Sequence, residues 1–182
     1  MEKSSKNILR VAITGPESTG KTTLAKSLAQ HYNTVWVPEY AREYLNNLKR
    51  PYTYYDLKEI AKGQIELEKQ MLHNAKNILF ADTELLVIKI WSIYKYGTYD
   101  SFILENILHN PYDLYLLTYP DLPWEYDPLR EAPSEEERKR IFDIYETELK
   151  KYNFNYCTIK EQGQKRINNA INCIEKFIFK QF

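Results

Sequence analysis

The sequence has 182 residues, with 25 basic and 25 acidic side chains and a formal net charge of zero. That length suits one domain, and 43% hydrophobic against 27% charged residues allows a packed core under a charged surface. Zero net charge argues against a nucleic-acid polymer as ligand, and no apolar run nears the roughly 20 residues that cross a bilayer.

Met1 to Asn7 is short and polar, and the apolar stretch after it is interrupted, unlike the core of a signal peptide. Ile8 to Thr14 is a mostly apolar run of the kind that forms a buried parallel strand. A helix is expected from Lys21 to about Tyr32. Thr34 to Val37 is a short strand stopped by Pro38, and Glu39 to Leu48 is helical. Thr53 and Asp56 have capping-box spacing and open a long helix to about Ala75. Ile78 to Ala81 is a third strand, ending at Asp82. Two more helices are expected, over Glu84 to Tyr96, with Gly97 as its stop, and over Ser101 to Leu108.

Tyr112 to Thr118 is a fourth strand, and a proline-rich loop runs from Tyr119 to Pro133. Ser134 and Glu137 cap the next helix, predicted to bury Ile141, Ile144, Tyr145 and Leu149. Asn155 to Ile159 is a fifth strand. The last helix carries Ile167, Ala170, Ile171, Ile174, Phe177 and Ile178 at helical spacing. This alternation predicts an α/β fold: a parallel five-stranded sheet flanked by helices, in one domain spanning 1–182.

Gly15 to Thr22 (GPESTGKT) matches G-x-x-x-x-G-K-[ST], with a strand before it and a helix after it. Such a loop turns backbone N–H groups around a phosphate, which requires permissive residues, and the helix beyond it points its positive end at the anion. Gly15, Ser18, Thr19, Gly20, Lys21, Thr22 and Thr23 are therefore the candidate ATP-binding residues. Lys21 reaches the β and γ phosphates, and the Thr22 hydroxyl is a ligand for Mg²⁺.

Ligands of parallel sheets sit beyond the carboxyl ends of the strands. Three groups of polar residues stand there. Asp82, after the third strand, suits the metal side of a phosphate site; a cap for the next helix would use Asp82 or Thr83 equally well. Glu39, after the second strand, could take a proton from an acceptor hydroxyl, with Arg42 beside it; the pair would also make an ordinary solvated i,i+3 ion pair. The loop from Tyr119 to Arg130 offers Trp124 and Tyr126 as stacking rings and Asp127 as an acceptor for sugar hydroxyls. Arg130 closes that loop and is the stronger candidate for the transferring phosphate. Of Arg138, Lys139 and Arg140, at least two fit a solvated helix face. His31, His73 and His109 are isolated, without metal-ligand spacing. Cys157 and Cys173 have no CxxC spacing and are expected as free thiols in a reducing cytoplasm.

The segments ITGPESTGKTTLA, VPEYAREYL, FADTELLVIKIWSIYKYG and YDLYLLTYPDLPWEYDPLRE together resemble the ribosylnicotinamide kinase domain of NadR-type NAD-biosynthesis proteins. The resemblance runs from about Ile8 to Phe179. It implies a P-loop NTPase fold of the nucleotide-kinase type, with a lid and acceptor loop at about 119–140. It further implies transfer of the ATP γ-phosphate to the 5′-hydroxyl of nicotinamide riboside, in the cytoplasm. Carried over by position, Lys21, Asp82, Glu39, Arg42 and Arg130 take catalytic roles, with Thr22 and Asp82 on the metal. Glu39, Tyr40, Arg42, Trp124, Tyr126 and Asp127 face the acceptor. A cationic nicotinamide ring would gain about 0.5–2 kcal/mol from an aromatic face such as Trp124, Tyr40 or Tyr126. Pro128 stands where the family commonly has glycine, and no HxGH signature of an adenylyltransferase occurs. Two alternatives stay open: a kinase for another nucleoside or small alcohol, and an ATP-sensing module without phosphotransfer. Either Asp82 or Glu39 could be the base. Oligomeric state is not legible.

Overall fold

The computed structural model describes residues 8–132 and 134–179. The polar stretch 1–7 and Pro133 of the expected loop lie outside the described residues.

Five strands form one parallel sheet in the order β2-β3-β1-β4-β5. They are β1 (Leu9–Thr14), β2 (Trp36–Val37), β3 (Ile78–Asp82), β4 (Leu114–Thr118) and β5 (Tyr156–Ile159). The helices are α1 (Lys21–His31), α2 (Tyr40–Asn47), α3 (Tyr54–Leu72), α4 (Leu85–Tyr96), α5 (Ser101–His109), α6 (Glu135–Lys151) and α7 (Gly163–Phe179). Among the described residues, none is long and apolar enough to cross a membrane.

Successive strand side chains point to opposite faces, so each central strand feeds two cores. Val11, Ile13, Ile78, Phe80, Leu114 and Leu116 pack with Leu24 and Leu28 of α1 and Ile174 of α7. Ala12, Leu79, Ala81, Tyr115 and Leu117 pack on the other face, with residues of α3, α4, α5 and α6. Both faces are covered, which is why these strands read as mostly apolar runs.

Several boundaries are shorter than the pattern suggests. Only Trp36 and Val37 of the second strand join the ladder. Thr34 stands in with its side chain, donating to the Ile78 carbonyl at 2.7 Å. The third helix ends at Leu72, and β4 starts at Leu114. Thr53 donates its backbone N–H to Asp56 Oδ2 at 2.7 Å, as the capping-box spacing predicts.

Two expectations are corrected. The buried stripe of α6 is Arg138, Phe142, Tyr145 and Leu149, while Ile144 is 40% exposed. Two apolar stripes coexist on this helix, and its packing under the sheet selects the one containing Phe142. The cysteines are not free: Cys157 of β5 and Cys173 of α7 form a disulfide. The packing of α7 against β5 brings their Cα atoms to 6.5 Å, within bonding range.

Candidate active site

The carboxyl ends of β1, β2, β3 and β4 open into a cleft of about 530 Å³. The phosphate loop forms its floor. Gly15 (φ +132°) lies so close to β4 that a Cβ there would stand 2.6 Å from Thr118 Oγ1 and 2.8 Å from its carbonyl. Gly20 takes the left-handed conformation (φ +74°) and turns the chain into α1. Thr19 Oγ1 bonds Thr118 Oγ1 at 2.7 Å, and Thr118 donates to the Thr14 carbonyl at 3.0 Å. These contacts fix the loop across the ends of two adjacent strands.

Lys21 Nζ donates to the carbonyls of Gly15 (2.9 Å) and Pro16 (2.7 Å), across the mouth of the loop. Burial pulls its pKa below the ordinary lysine value, opposed by the charges of Glu39, Asp82 and Glu17. Thr22 Oγ1 donates to Asp82 Oδ2 at 2.6 Å. Burial pushes the Asp82 carboxyl up to about 6, against the Thr22 hydrogen bond. Asp82 Oδ1 is buried without a hydrogen-bond partner. A divalent cation suits that atom, because Mg²⁺ takes one or two protein oxygens and completes its shell with water and phosphate. Thr22 and Asp82 therefore fit the ion. Among the described residues no group of three or more His, Cys, Asp or Glu could hold a metal on protein ligands alone.

Capping duties near these carboxylates fall to other residues. Glu84, not Asp82 or Thr83, caps α4: its Oε2 accepts from Leu86 N at 2.6 Å and its Oε1 from Thr14 Oγ1 at 2.9 Å. Burial raises the Glu84 carboxyl to about 7. Glu39 precedes α2 but caps nothing. The first N–H of that helix, on Tyr40, goes to Gln64 Oε1 at 2.8 Å. The Glu39 carboxylate is left to the cleft, 3.6 Å from Arg42 Nε. Arg42 also donates to Asp127 Oδ2 at 2.7 Å, so it joins α2 to the loop after β4.

Of the residues singled out in the sequence, Gly15, Ser18, Thr19, Gly20, Lys21, Thr22, Thr23, Glu39, Arg42, Asp82 and Arg130 line this cleft. Tyr40, Trp124, Tyr126 and Asp127 do not. Tyr40 packs over Gly63, Trp124 donates to Glu17 at 3.3 Å, and Tyr126 is 80% exposed. The aromatic wall is instead Trp91 and Tyr94 of α4 with Tyr145 of α6. Arg130 reaches Ser18 Oγ at 3.3 Å. Lys139 and Arg140 pair with Glu135 and Glu136 on the exposed side of α6.

Comparisons with known proteins show the family and the fold. Residues 10–166 match the family described as AAA domain. The chain belongs to that family. It is 30% identical over 169 residues to the trifunctional NAD biosynthesis/regulator protein NadR of Salmonella typhimurium, spanning 91% of this chain and 41% of that protein. Two crystal structures superpose with a TM-score of 0.75 over 93% of this chain: NadR with NAD and AMP-PNP, at 21% identity, and NadR with NR, at 23%. The match spans about half of each solved chain. The fold is that of a P-loop kinase.

Sequence reasoning missed Trp91, Tyr94 and Tyr145 as cleft residues, and it missed Arg166; of Arg138, Lys139 and Arg140, the two that are solvated are Lys139 and Arg140, and Arg138 is buried. Arg138 donates to the carbonyls of Leu122 (3.0 Å) and Ser18 (3.4 Å). Arg166 donates to those of Thr19 (2.8 Å) and Tyr119 (3.0 Å), and to Asp121 Oδ1 (2.7 Å). A signal for the aromatic wall existed. Helix α4 is apolar nearly all round, and Val87, Ile90, Trp91 and Tyr94 form a second stripe beside the one in the core.

Proposed function

We propose that this protein is an ATP- and Mg²⁺-dependent kinase that phosphorylates the 5′-hydroxyl of nicotinamide riboside, giving nicotinamide mononucleotide. One observation carries the reading. A single cleft joins a phosphate loop and the Thr22–Asp82 pair to a wall of Trp91, Tyr94 and Tyr145 bearing the Glu131 carboxylate. Aromatic faces beside carboxylates suit a flat cationic ring, which is what distinguishes this acceptor from other nucleosides. The NR and AMP-PNP held by the solved NadR proteins support both halves of the site.

The residues divide the chemistry among themselves. Mg²⁺, when bound through Thr22 and Asp82, neutralises phosphate charge. Lys21 and the loop amides hold the β and γ phosphates, and Arg130 adds positive charge over Ser18. Glu39 is free of capping and of any short hydrogen bond, so it accepts the proton of the 5′-hydroxyl, with Arg42 orienting it. The new bond forms from the 5′-oxygen to the γ phosphorus. The bond to the β–γ bridging oxygen breaks, and ADP leaves. Asp82, committed to Thr22, keeps the metal side.

A panel of acceptors with labelled ATP tests this reading. Nicotinamide riboside should be the best substrate, and Glu39→Gln should lower kcat by about 10²–10⁴-fold. Turnover of a deoxynucleoside with none of nicotinamide riboside would overturn the acceptor assignment. Lys21→Ala should abolish ATP use with any acceptor.

A further inference from the structure

Phosphate binding by the loop uses backbone amides, Lys21 and Thr22, and has no use for a carboxylate. Glu17 nevertheless stands in the middle of the loop, close enough for its charge to act on Lys21. Its side chain is taken up by the segment after β4. Oε1 accepts from Ala132 N at 2.7 Å and Trp124 Nε1 at 3.3 Å, and Oε2 accepts from Glu131 N at 2.9 Å. The neighbouring Ser18 Oγ accepts from Glu125 N at 2.9 Å.

The same segment is fastened at its far side. Glu131 Oε1 accepts from Lys95 Nζ and from Tyr52 Oη, each at 2.7 Å. Tyr52 Oη in turn accepts from Trp91 Nε1 at 3.0 Å. Trp91 lines the cleft. An unbroken run of hydrogen bonds thus leads from the phosphate loop to the aromatic wall: Glu17, Glu131, Tyr52, Trp91.

We propose that Glu17 is a positioning residue that latches the 124–132 segment onto the phosphate loop and, through Glu131 and Tyr52, sets the orientation of Trp91 toward the acceptor. Latched, its charge is held by three N–H donors. Unlatched, it would face the triphosphate and repel it. Nucleotide binding therefore favours the latched segment, and the latched segment favours the acceptor; this coupling is reciprocal. The inference rests on the kinase reading above for its acceptor half only.

The test uses the whole protein and the variants Glu17→Ala and Tyr52→Phe. Amide hydrogen exchange, which needs no acceptor, should show loss of protection at Glu131 and Ala132 in Glu17→Ala and not in Tyr52→Phe. ATP binding, measured by titration, should be as tight as in the unmodified protein or tighter in Glu17→Ala, because a repelling charge is gone. KM for the acceptor that the panel identifies should rise about tenfold in both variants, the loss expected of one charge-assisted hydrogen bond. General unfolding cannot raise the acceptor KM while leaving ATP binding undiminished. Unchanged protection at Glu131 and Ala132 in Glu17→Ala overturns the latch whichever acceptor is used. An unchanged acceptor KM, or ATP binding weakened in parallel, overturns the coupling.

Discussion

Replacing Gly63 by alanine tests how the acceptor side of the cleft is supported. In a helix interior alanine is favoured over glycine by about 1 kcal/mol, so propensity alone predicts stabilisation. The contact with Tyr40 predicts the reverse. A Cβ on Gly63 would stand 1.9 Å from Tyr40 Cε1 and 2.4 Å from Cδ1 and Cζ. Carbon atoms pack at about 3.5–4.0 Å, so the ring would have to withdraw by roughly 1.5–2 Å. It is poorly free to do so, because Tyr40 opens α2 and its backbone N–H is held by Gln64 at 2.8 Å. Overpacking of this kind costs about 1–3 kcal/mol, which leaves a net loss of up to about 2 kcal/mol after the propensity gain. Urea unfolding of the four proteins in a double-mutant cycle measures it. In a Tyr40→Ala background the obstacle is gone, and Gly63→Ala should stabilise by up to about 1 kcal/mol. A Gly63→Ala variant that is more stable than the parent with Tyr40 present would refute the argument. Glu39 and Arg42 flank the displaced tyrosine, so acceptor turnover should fall in the single variant and recover little in the double.

Phe142→Ala should cost about 3–5 kcal/mol and Ile144→Ala less than about 0.5 kcal/mol in the same unfolding assay; the opposite order would mean that α6 buries its other stripe. Asp56 is held below the ordinary carboxylate range, first by its hydrogen bonds to Arg50, with Thr53 and Tyr44 adding to the effect against the opposing influence of burial. Its folded-state value is depressed, so its contribution is present above about pH 4 and is lost as pH falls below that. Asp56→Asn should therefore lower Tm at pH 7, and should flatten the fall in Tm between pH 4 and pH 2; an identical acid profile in the two proteins would refute this. The Cys157–Cys173 bridge closes a 16-residue separation. Its reduction should lower stability by about 3 kcal/mol. A thiol titration that finds both cysteines free in the native protein would contradict the bridge.

What was legible in the sequence was local. The phosphate loop is recognised because its function lies in backbone N–H groups, whose geometry a run of eight residues dictates by itself. The central strands are recognised because burial on both faces removes polar residues from them. The side chains that depend on which elements meet were not legible. Nothing in the local pattern says which of Arg138, Lys139 and Arg140 is buried, or marks Arg166, and only the tertiary structure turns Arg138 and Arg166 onto the carbonyls of the phosphate loop. Cys157 and Cys173 meet because α7 packs on β5, which no spacing rule anticipates. Trp124 and Tyr126 are conspicuous as aromatics in a loop, whereas the aromatics that line the cleft are Trp91 and Tyr94 of α4 and Tyr145 of α6.

The two cleft carboxylates show how a local rule can be overridden to make a site. An acidic or small polar residue between a strand and a helix is by default a helix cap, its oxygens bonded to backbone N–H groups and unavailable for chemistry. Glu39 and Asp82 both occupy such junctions. For Glu39 the capping is done from a distance, by Gln64 on α3, whose amide also reaches the carbonyls of Pro38 and Thr83 at 3.4 Å. For Asp82 it is done two residues later, by Glu84. That delay requires Thr83 to take a left-handed conformation, φ +73°, which for a β-branched residue costs of order 1–3 kcal/mol. The strain and the buried glutamine have the same effect. Each leaves a carboxylate at the end of a strand uncommitted to helix capping: Glu39 faces the cleft, and Asp82 keeps one buried oxygen, Oδ1, without a hydrogen-bond partner.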